Sequence, residues 1–476
     1  MRYIPVTLIF LSFLSFSGKT LADIRLPSMG EASSGVISLE QERELGQAWL
    51  RSYRAQTDIN TDYELQEYVE DVIFRMTQYS DIVDKRLDIL IVNNPTLNAF
   101  AVPGGIIGVN TGLFNYAETE GQFSSVMAHE LSHLSQRHFA RSVAQRQSNQ
   151  LSTMAGILAG ILIAATTSGD AGLAMISATQ AASLESDLRY SRQHEQEADR
   201  IGIEVMVNAG YDPKSMGAMF ENMLRSTSYV GYQAPEYLRS HPLTESRVND
   251  ALNRARQYQQ KYYPEALQYQ LMRKRIEIQL TGVPAQAVRK FEAEVELNSN
   301  VLNRYALALA YKKAIQFDKA KNLAQELYSS DPGNQSFGLL YADILNQTGD
   351  SSAAETIIRN YLSRRPDSYA LNMALASALS HGGKFSEAAE ILRKQTQMRS
   401  NDAAVWYEYA ETLGLAGNLL ELHKARAEYF MLVGAFDRAI RQLQFAKTEA
   451  AGNSIELAIL DEKITRAAQL RNSDHF

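Results

Sequence analysis

The chain has 476 residues, which is long enough for about two or three domains of ordinary size. Aspartate and glutamate (54) outnumber lysine and arginine (47), and the net charge of −7 argues against a general nucleic-acid binder. The absence of cysteine excludes disulfides, lipid-modified cysteines and cysteine metal ligands. Any metal site must therefore use histidine, aspartate or glutamate.

The N-terminus has the features of a secretory signal. Arg2 gives a positive start, and residues 4 to 16 are mostly apolar. Thr20 and Ala22 then supply the small side chains of a cleavage site, so we predict a signal peptide over residues 1 to 22. An uncleaved anchor is the alternative, but the apolar run is short for a bilayer span. Export of a cysteine-free chain indicates the bacterial periplasm.

Helices and a small sheet are predicted next along the chain. Residues 37 to 80 place apolar side chains at three- and four-residue spacing, which is typical of helices. Residues 87 to 92 predict a strand, and residues 99 to 102 and 106 to 109 predict two more around Pro103. Because proline cannot donate to a ladder, we expect an edge strand here. It could bind an extended substrate by strand addition or form a plain hairpin, and both interpretations stay open.

A helix that begins after Thr119 is predicted to run through Arg141, with Thr119 and Gln122 as a capping box. Residues 151 to 182 are rich in alanine, glycine, isoleucine and leucine, but their apolar run is too short to span a bilayer. A buried helix pair is the favoured interpretation. A hairpin over a cleft, or one in peripheral contact with a membrane surface, is the alternative.

The segment His129-Glu130-Leu131-Ser132-His133 lies inside this predicted helix. Positions i and i+4 share a helix face, so the imidazoles of His129 and His133 can bind one metal ion. Glu130 lies about a third of a turn away, where it can act as a base on a water that the metal activates. This spacing is the signature of zinc-dependent peptidases. Two ordinary histidines on a partly exposed helix are the alternative.

A catalytic zinc site needs a third protein ligand and an open position for water. Glu195 and Asp199 are four residues apart and share a face of a later predicted helix. Glu195 could bind the metal while Asp199 accepts an N–H from a ligating imidazole. A solvated acidic helix face is the alternative.

Three further histidines and one arginine are candidates for supporting roles. His138 lies about 140° around the predicted helix from His133 and is expected to face elsewhere. His194 is expected to point away from the face of Glu195. His241 precedes a proline in a loop, and it could donate to an oxyanion, occupy the open zinc position, or be structural. Arg247 either anchors that loop through a carboxylate or is solvated.

The C-terminal part repeats with a period of 34 residues. Glycines recur at one phase, where paired helices turn, and small alanines recur at another, where helices pack closely. These positions are Gly349, Gly383 and Gly417 for the turns and Ala320, Ala354 and Ala388 for the packing sites. The pattern is that of tetratricopeptide repeats, which we expect from about residue 267 to residue 470.

Taken together, the motifs resemble the zinc metallopeptidases of the M48 family. The resemblance covers most of residues 40 to 260. Besides the H-E-x-x-H segment, it rests on E-x-x-A-D at residues 195 to 199, N-A-F-A-x-P-G-G at residues 98 to 105 and S-H-P-x-x-x-x-R at residues 240 to 247. It implies that His129, His133 and Glu195 bind one Zn²⁺ per chain and that Glu130 is the catalytic base.

The resemblance also implies an architecture and a function. We expect a mainly α chain, with a helical zincin-type metallopeptidase domain and a small β-sheet at residues 23 to 263. A tetratricopeptide α-solenoid should follow at residues 264 to 476, and we expect the first part to fold without it. The implied clients are unfolded or misassembled outer-membrane β-barrel proteins, with the barrel-assembly machinery bound through the repeats. The alternative is a chaperone or scaffold whose protease site is latent.

Overall fold

The computed structural model describes residues 37 to 145, 192 to 229 and 235 to 473, together with residues 155, 156, 158, 159 and 162. The predicted signal peptide lies outside the described residues, as does most of the apolar segment at residues 151 to 182. No helix in the described part of the chain combines the length and the hydropathy needed to cross a membrane.

Two capped helices precede the sheet: α1 (Leu39–Gln56) and α2 (Tyr63–Thr77). Ser38 and Gln41 form a reciprocal capping box at the start of α1, and the Asp62 carboxylate accepts two backbone N–H groups at the start of α2. The helical prediction for this region is therefore confirmed, with a loop between the two helices.

The sheet has three strands: β1 (Asp88–Val92), β2 (Ala99–Val102) and β3 (Ile106–Asn110). The order is β1-β3-β2, with β1 parallel and β2 antiparallel to β3. Gly104 and Gly105 have φ of 88° and 85°, a conformation that suits glycine and closes the β2–β3 turn. The predicted strands are confirmed, and β2 lies at an edge of the described sheet.

The chain then forms α3 (Leu113–Tyr116), α4 (Glu120–Ser135) and α5 (His138–Gln145). The Thr119 hydroxyl caps α4 by accepting from the Gln122 backbone. The Gln122 side chain accepts from the backbone N–H of Glu118 and not from that of Thr119, so only half of the predicted capping box forms.

The prediction of one helix through Arg141 is wrong, because the chain breaks at Arg137. Its φ of 49° is left-handed, which costs a non-glycine residue free energy. The Arg137 guanidinium binds Glu42 of α1 at 3.0 and 2.6 Å and also donates to the Ile37 carbonyl oxygen. These contacts with a distant segment hold the break, so helical spacing cannot predict it.

Four helices follow the apolar segment: α6 (Arg192–Asn208), α7 (Lys214–Tyr229), α8 (Glu236–Ser240) and α9 (Glu245–Ala255). We call the described residues between 37 and 255 the peptidase-like part, and α4 is its central helix. Helix α4 packs against α6, α7, α2 and β2. All of its residues from 122 to 133 are buried. Polar side chains on α4 therefore have to find partners inside the protein.

The C-terminal part consists of consecutive antiparallel helices, as predicted. They are α10 (Leu267–Leu280), α11 (Pro284–Leu297), α12 (Val301–Lys313), α13 (Phe317–Ser330), α14 (Gln335–Gln347), α15 (Ser351–Leu362), α16 (Tyr369–His381), α17 (Phe385–Met398), α18 (Ala403–Leu415), α19 (Leu419–Leu432), α20 (Phe436–Glu449) and α21 (Ser454–Ser473). Ala320, Ala354 and Ala388 are fully buried at the predicted packing sites. Gly349, Gly383 and Gly417 turn the chain with positive φ, and Ile315 occupies the corresponding position one period earlier with φ of 60°.

The peptidase-like part and the repeats share one hydrophobic core. Tyr269 of α10 is fully buried, its ring centroid lies 5.8 Å from those of Phe114 and Phe123, and its hydroxyl donates to the Ala117 carbonyl oxygen at 2.7 Å. The described residues from 37 onward accordingly belong to one compact unit. This packing opposes the expectation that the first part folds alone, while the boundary near residue 264 stays a prediction.

The junction also contains ion pairs. Arg275 of α10 lies 2.6 Å from Asp62 and 3.1 Å from Glu64, both at the start of α2. Much further along the array, Arg399 binds Glu70 of the same helix at 2.8 Å. Because α2 packs on α4, these contacts connect the repeats to the helix that carries the H-E-x-x-H segment.

Candidate metal centre

Four buried side chains from three separate segments converge. His129 and His133 come from α4, Glu195 from α6, and His241 from the residue after α8. One donor atom from each lies within 4.8 Å of all the others. The Nε2 atoms of His129 and His133 are 2.9 Å apart, and each lies 3.5 to 3.6 Å from a Glu195 carboxylate oxygen. The exposed fraction of each of the four residues is 3% or less.

Asp199 determines which nitrogen of His129 faces the cluster. Its carboxylate lies 2.9 Å from His129 Nδ1, and a carboxylate can only accept at this position. The pKa of Asp199 is below its usual value, because hydrogen bonds from Arg247 and His129 outweigh the effect of burial. Nδ1 therefore carries the proton, and the Nε2 lone pair of His129 points into the cluster.

Arg247 of α9 connects the carboxylates of the site. Its guanidinium donates to both oxygens of Asp199 at 2.7 and 2.8 Å and lies 2.7 Å from Glu195. It also donates to the Pro242 carbonyl oxygen at 3.0 Å. Arg247 is buried, and its guanidinium lies between the His241 loop and the carboxylates of α6.

The ionisation of the ligand candidates follows from these contacts. Burial opposes ionisation of Glu195, but His241, His133 and His129 together bring its pKa well below the usual value. Burial lowers the pKa of His133 well below the usual value, so its ring is neutral. A carboxylate and a neutral imidazole are the forms of these side chains that bind a metal.

His241 lies among the donor groups. Its Nδ1 lies 3.1 Å from Glu195 and 3.4 Å from His129 Nε2, and its Nε2 lies 3.6 Å from Glu130. Burial opposes its protonation, while the charges of Glu195 and Glu130 favour it and raise its pKa overall. Arg247 holds the loop in place through the carbonyl oxygen of the next residue, Pro242.

Glu130 is fully buried, and neither of its carboxylate oxygens has a hydrogen-bond partner among the described residues. A buried carboxylate without donors is costly, which marks it for a role other than stability. Burial raises its pKa, and this effect outweighs the charges of His241 and His129. Tyr237, which sequence reasoning missed, is buried nearby with its ring centroid 4.7 Å from that of His241.

His138 was expected to face elsewhere, and the structure contradicts this. The break at Arg137 turns it back, so that its Nδ1 lies 2.8 Å from Nδ1 of His133. His194 stacks on His138 with ring centroids 4.4 Å apart, outside the donor group. No spacing rule gives the position of His138, because it depends on the left-handed residue that precedes it.

The donor set fits zinc. Two imidazole nitrogens and one carboxylate, with a carboxylate base beside them, are the usual protein groups of catalytic zinc sites. The close approach of two Nε2 atoms in a buried place is favourable with a cation between them and unfavourable without one. The Glu130 carboxylate lies beside this cluster, yet it is not one of the four residues whose donor atoms converge.

Comparison with known proteins agrees with this geometry. Residues 63–255 match peptidase family M48, and residues 313–378 match the tetratricopeptide repeat family. The chain is 32% identical to the "Beta-barrel assembly-enhancing protease" of Escherichia coli (strain K12), over 94% of this chain and 92% of that one. It is 34% identical to the "Putative beta-barrel assembly-enhancing protease" of Vibrio cholerae, over 65% of each chain.

A more distant relative shares the peptidase-like part alone. The "Mitochondrial metalloendopeptidase OMA1" of Arabidopsis thaliana is 30% identical over 34% of this chain and 30% of its own. Peptidases of family M48 use zinc, in agreement with the buried His-His-Glu-His group. The chain therefore belongs to peptidase family M48, as a metallopeptidase joined to tetratricopeptide repeats.

Proposed function

We propose that this chain is a periplasmic zinc endopeptidase that degrades misassembled outer-membrane β-barrel proteins and assists their assembly. The observation that carries the proposal is the convergence of two Nε2 lone pairs and the Glu195 carboxylate beside the buried Glu130, whose carboxylate oxygens accept no hydrogen bond from the described residues. The β-barrel client class is supported by relatives named for barrel assembly over nearly the whole chain. Export through residues 1 to 22 remains a prediction, tested by whether the mature protein begins at Asp23.

We assign the zinc ligands as His129, His133 and Glu195. The bound ion would supply Lewis-acid polarisation of the scissile carbonyl and would lower the pKa of the attacking water. Glu130 takes the proton of that water and later delivers it to the leaving amine. Its burial suits both steps, because a raised pKa brings a carboxylate closer to the working pH. Asp199 and Arg247 keep the ligands in place.

Replacement of Glu130 tests the proposal. Glu130→Gln should keep one zinc per chain, because the residue is not among the assigned ligands. It should lose cleavage of an unfolded protein such as casein, because an amide cannot take the proton. Glu204→Gln, on the exposed side of α6, is the matched control and should cleave normally. Cleavage by the Glu130 variant at the wild-type rate would contradict its role as base.

For partner binding we propose a cavity between the two parts of the molecule. Its volume is about 540 Å³, and both the start of α2 and the helices α10, α12, α14 and α16 line it. Asn346 of α14 is only 6% exposed, lines this cavity, and its Oδ1 has no hydrogen-bond partner among the described residues. Such an amide can bind the backbone of an extended client.

A photo-crosslinker at Ser377, on the wall of the same cavity, should capture an unfolded β-barrel protein. Asn346→Ala should weaken that capture, while Asn360→Ala on the exposed side of α15 should not. Equal capture by the Asn346 variant and the wild type would contradict the assignment of this cavity.

A second candidate function, a chaperone with a latent protease site, is favoured by the position of His241. Its imidazole lies among the three ligand candidates, where a fourth ligand would close the coordination shell that catalysis needs open. We therefore expect His241→Ala to increase casein cleavage and self-digestion. If His241 instead donates to the oxyanion, the same variant should be slower by about a hundredfold. The sign of the change separates latency from catalysis.

A further inference from the structure

A series of hydrogen bonds leads away from the metal centre, and it begins at Nδ1 of His133. His133 Nδ1 lies 2.8 Å from His138 Nδ1, and His138 Nε2 lies 3.1 Å from a carboxylate oxygen of Glu197. Arg141 holds the same carboxylate at 3.1 Å. His129, by contrast, meets its carboxylate, Asp199, directly.

The Glu197 carboxylate at the end of this series of hydrogen bonds determines which nitrogen of each histidine donates. Arg141 donates to both carboxylate oxygens of Glu197, at 3.1 and 3.2 Å, and a carboxylate held by a guanidinium in this way accepts from His138. His138 must then carry its proton on Nε2, which leaves Nδ1 as an acceptor. His133 Nδ1 therefore donates, and the Nε2 atom of His133 presents a lone pair to the cluster. The opposite tautomer would place a proton where the metal must bind.

The position of His138 is fixed from several sides. It has no exposed surface, and the ring of His194 stacks on it with an interplanar angle of 10°. The backbone break at Arg137 aims it at His133, and the ion pair between Arg137 and Glu42 holds that break. The contacts that place His138 therefore come from residues outside the donor group.

We propose that His138 is a positioning residue that sets the tautomer and the ring orientation of His133 for zinc, with Glu197 as its anchor. The inference rests on the proposed zinc site. Partners of this kind usually change metal affinity by about 10- to 100-fold. Neither residue belongs to the donor group itself, and His138 contacts that group through His133.

The test is the zinc affinity of the full-length mature chain, measured by competition with a chelator. His138→Leu removes the acceptor and should weaken zinc binding by about 10- to 100-fold. His138→Asn keeps an acceptor oxygen near the position of Nδ1 and should restore most of the affinity. Glu197→Ala should fall between them, and its partly exposed side chain makes loss of the fold no concern. Glu204→Ala, on the exposed side of the same helix, is the control.

A second readout is the visible spectrum after cobalt replaces zinc, since its bands report ligand geometry. The bands should shift in His138→Leu and return towards wild type in His138→Asn. Equal zinc affinity and spectra in the wild type and the leucine variant would overturn the inference. Loss of affinity in both His138 variants, with Glu197→Ala unchanged, would also overturn it by indicating packing alone. Absence of zinc from the wild-type protein would instead refute the proposed function.

Discussion

Side chains are held in place in different ways in the metal centre and in the repeat array. In the centre, polar side chains other than Glu130 are held by side chains from other segments, as Asp199 holds His129 and Arg247 holds Asp199. In the array, neighbouring helices repeat one arrangement every 34 residues, and Ala320 and Ala354 occupy equivalent buried sites. Changes in the array should therefore act locally, whereas changes in the centre should act on several segments together.

Two left-handed residues show the same contrast. Arg137 lies beside the centre, and its strained conformation is compensated by its ion pair with Glu42. Ile315 lies at a turn of the array, and its side chain is 74% exposed. The left-handed conformation of Arg137 directs His138 towards His133. The left-handed conformation of Ile315 directs no side chain towards the metal centre. The strained conformation of Arg137 therefore helps to orient His138, whereas the strain at Ile315 can be removed without changing the metal centre.

The largest effect that tests this contrast should come from Tyr269, where the two regions meet. Tyr269→Ala should lower the free energy of unfolding by about 3–5 kcal/mol, because it empties a buried aromatic site. Tyr269→Phe should cost about 1–2 kcal/mol through the lost hydrogen bond to Ala117. Chemical denaturation measures both, and the exposed Tyr407 in the array gives a control that should hardly change on replacement by alanine. An unchanged unfolding midpoint for Tyr269→Ala would mean that the regions are independent.

A smaller effect is expected from Arg275→Met, which leaves Asp62 and Glu64 without their partner. We expect a loss of about 2–3 kcal/mol at neutral pH, below the usual cost of breaking a fully buried pair because these side chains are partly exposed. Arg393→Met, in an exposed pair of the array, should leave stability unchanged. Loss of equal size in both variants would contradict the special role of the junction.

The pH dependence of the Arg275 variant has a definite sign. Burial opposes ionisation of Asp62, but Arg275 keeps its pKa below the usual value, so Asp62 contributes stability above that value and loses it as the pH falls. Without Arg275, burial raises the pKa, and the carboxyl protonates at a higher pH. The deficit relative to wild type should therefore shrink as the pH falls from 7 towards 5, as measured by urea unfolding at each pH. A deficit that grows would contradict this account.

The smallest expected change in stability comes from Ile315, and it is a gain instead of a loss. Ile315→Gly should stabilise the protein by about 1 kcal/mol, because glycine adopts φ of 60° without strain and the exposed isoleucine loses little burial. Gly349→Ala at the equivalent turn should destabilise it by about as much. Thermal unfolding measures both. A destabilised Ile315→Gly would show that this side chain contributes contacts that the exposed fraction conceals.

Local patterns predicted much of the fold. The strands around Pro103, the turn glycines and the buried alanines all follow from short-range spacing, and they are confirmed. The turn at Ile315 lacks the glycine that marks the three later turns, so the glycine spacing did not indicate it. The shared core around Tyr269 was missed because amphipathic spacing shows which face is buried but not against what.

The site was predictable where one helix carries the chemistry and not where tertiary contacts do. Two residues four apart on α4 bring their Nε2 atoms together, as helix geometry requires. His138 could not be placed, because its direction depends on Arg137 and on the distant Glu42. Tyr237 gave no signal in the sequence, and Glu197 was hidden between the two more obvious acidic residues.

Anomalous scattering at the zinc edge from crystals of the wild-type protein would show whether His129, His133 and Glu195 bind zinc. We expect one zinc per chain, bonded to the Nε2 atoms of His129 and His133 and to a Glu195 oxygen at about 2.0–2.2 Å. The same map would show whether His241 is a fourth ligand. A chain without zinc, or a zinc bound through Asp199 or through the Nδ1 atoms of these histidines, would show that the assigned zinc site is wrong.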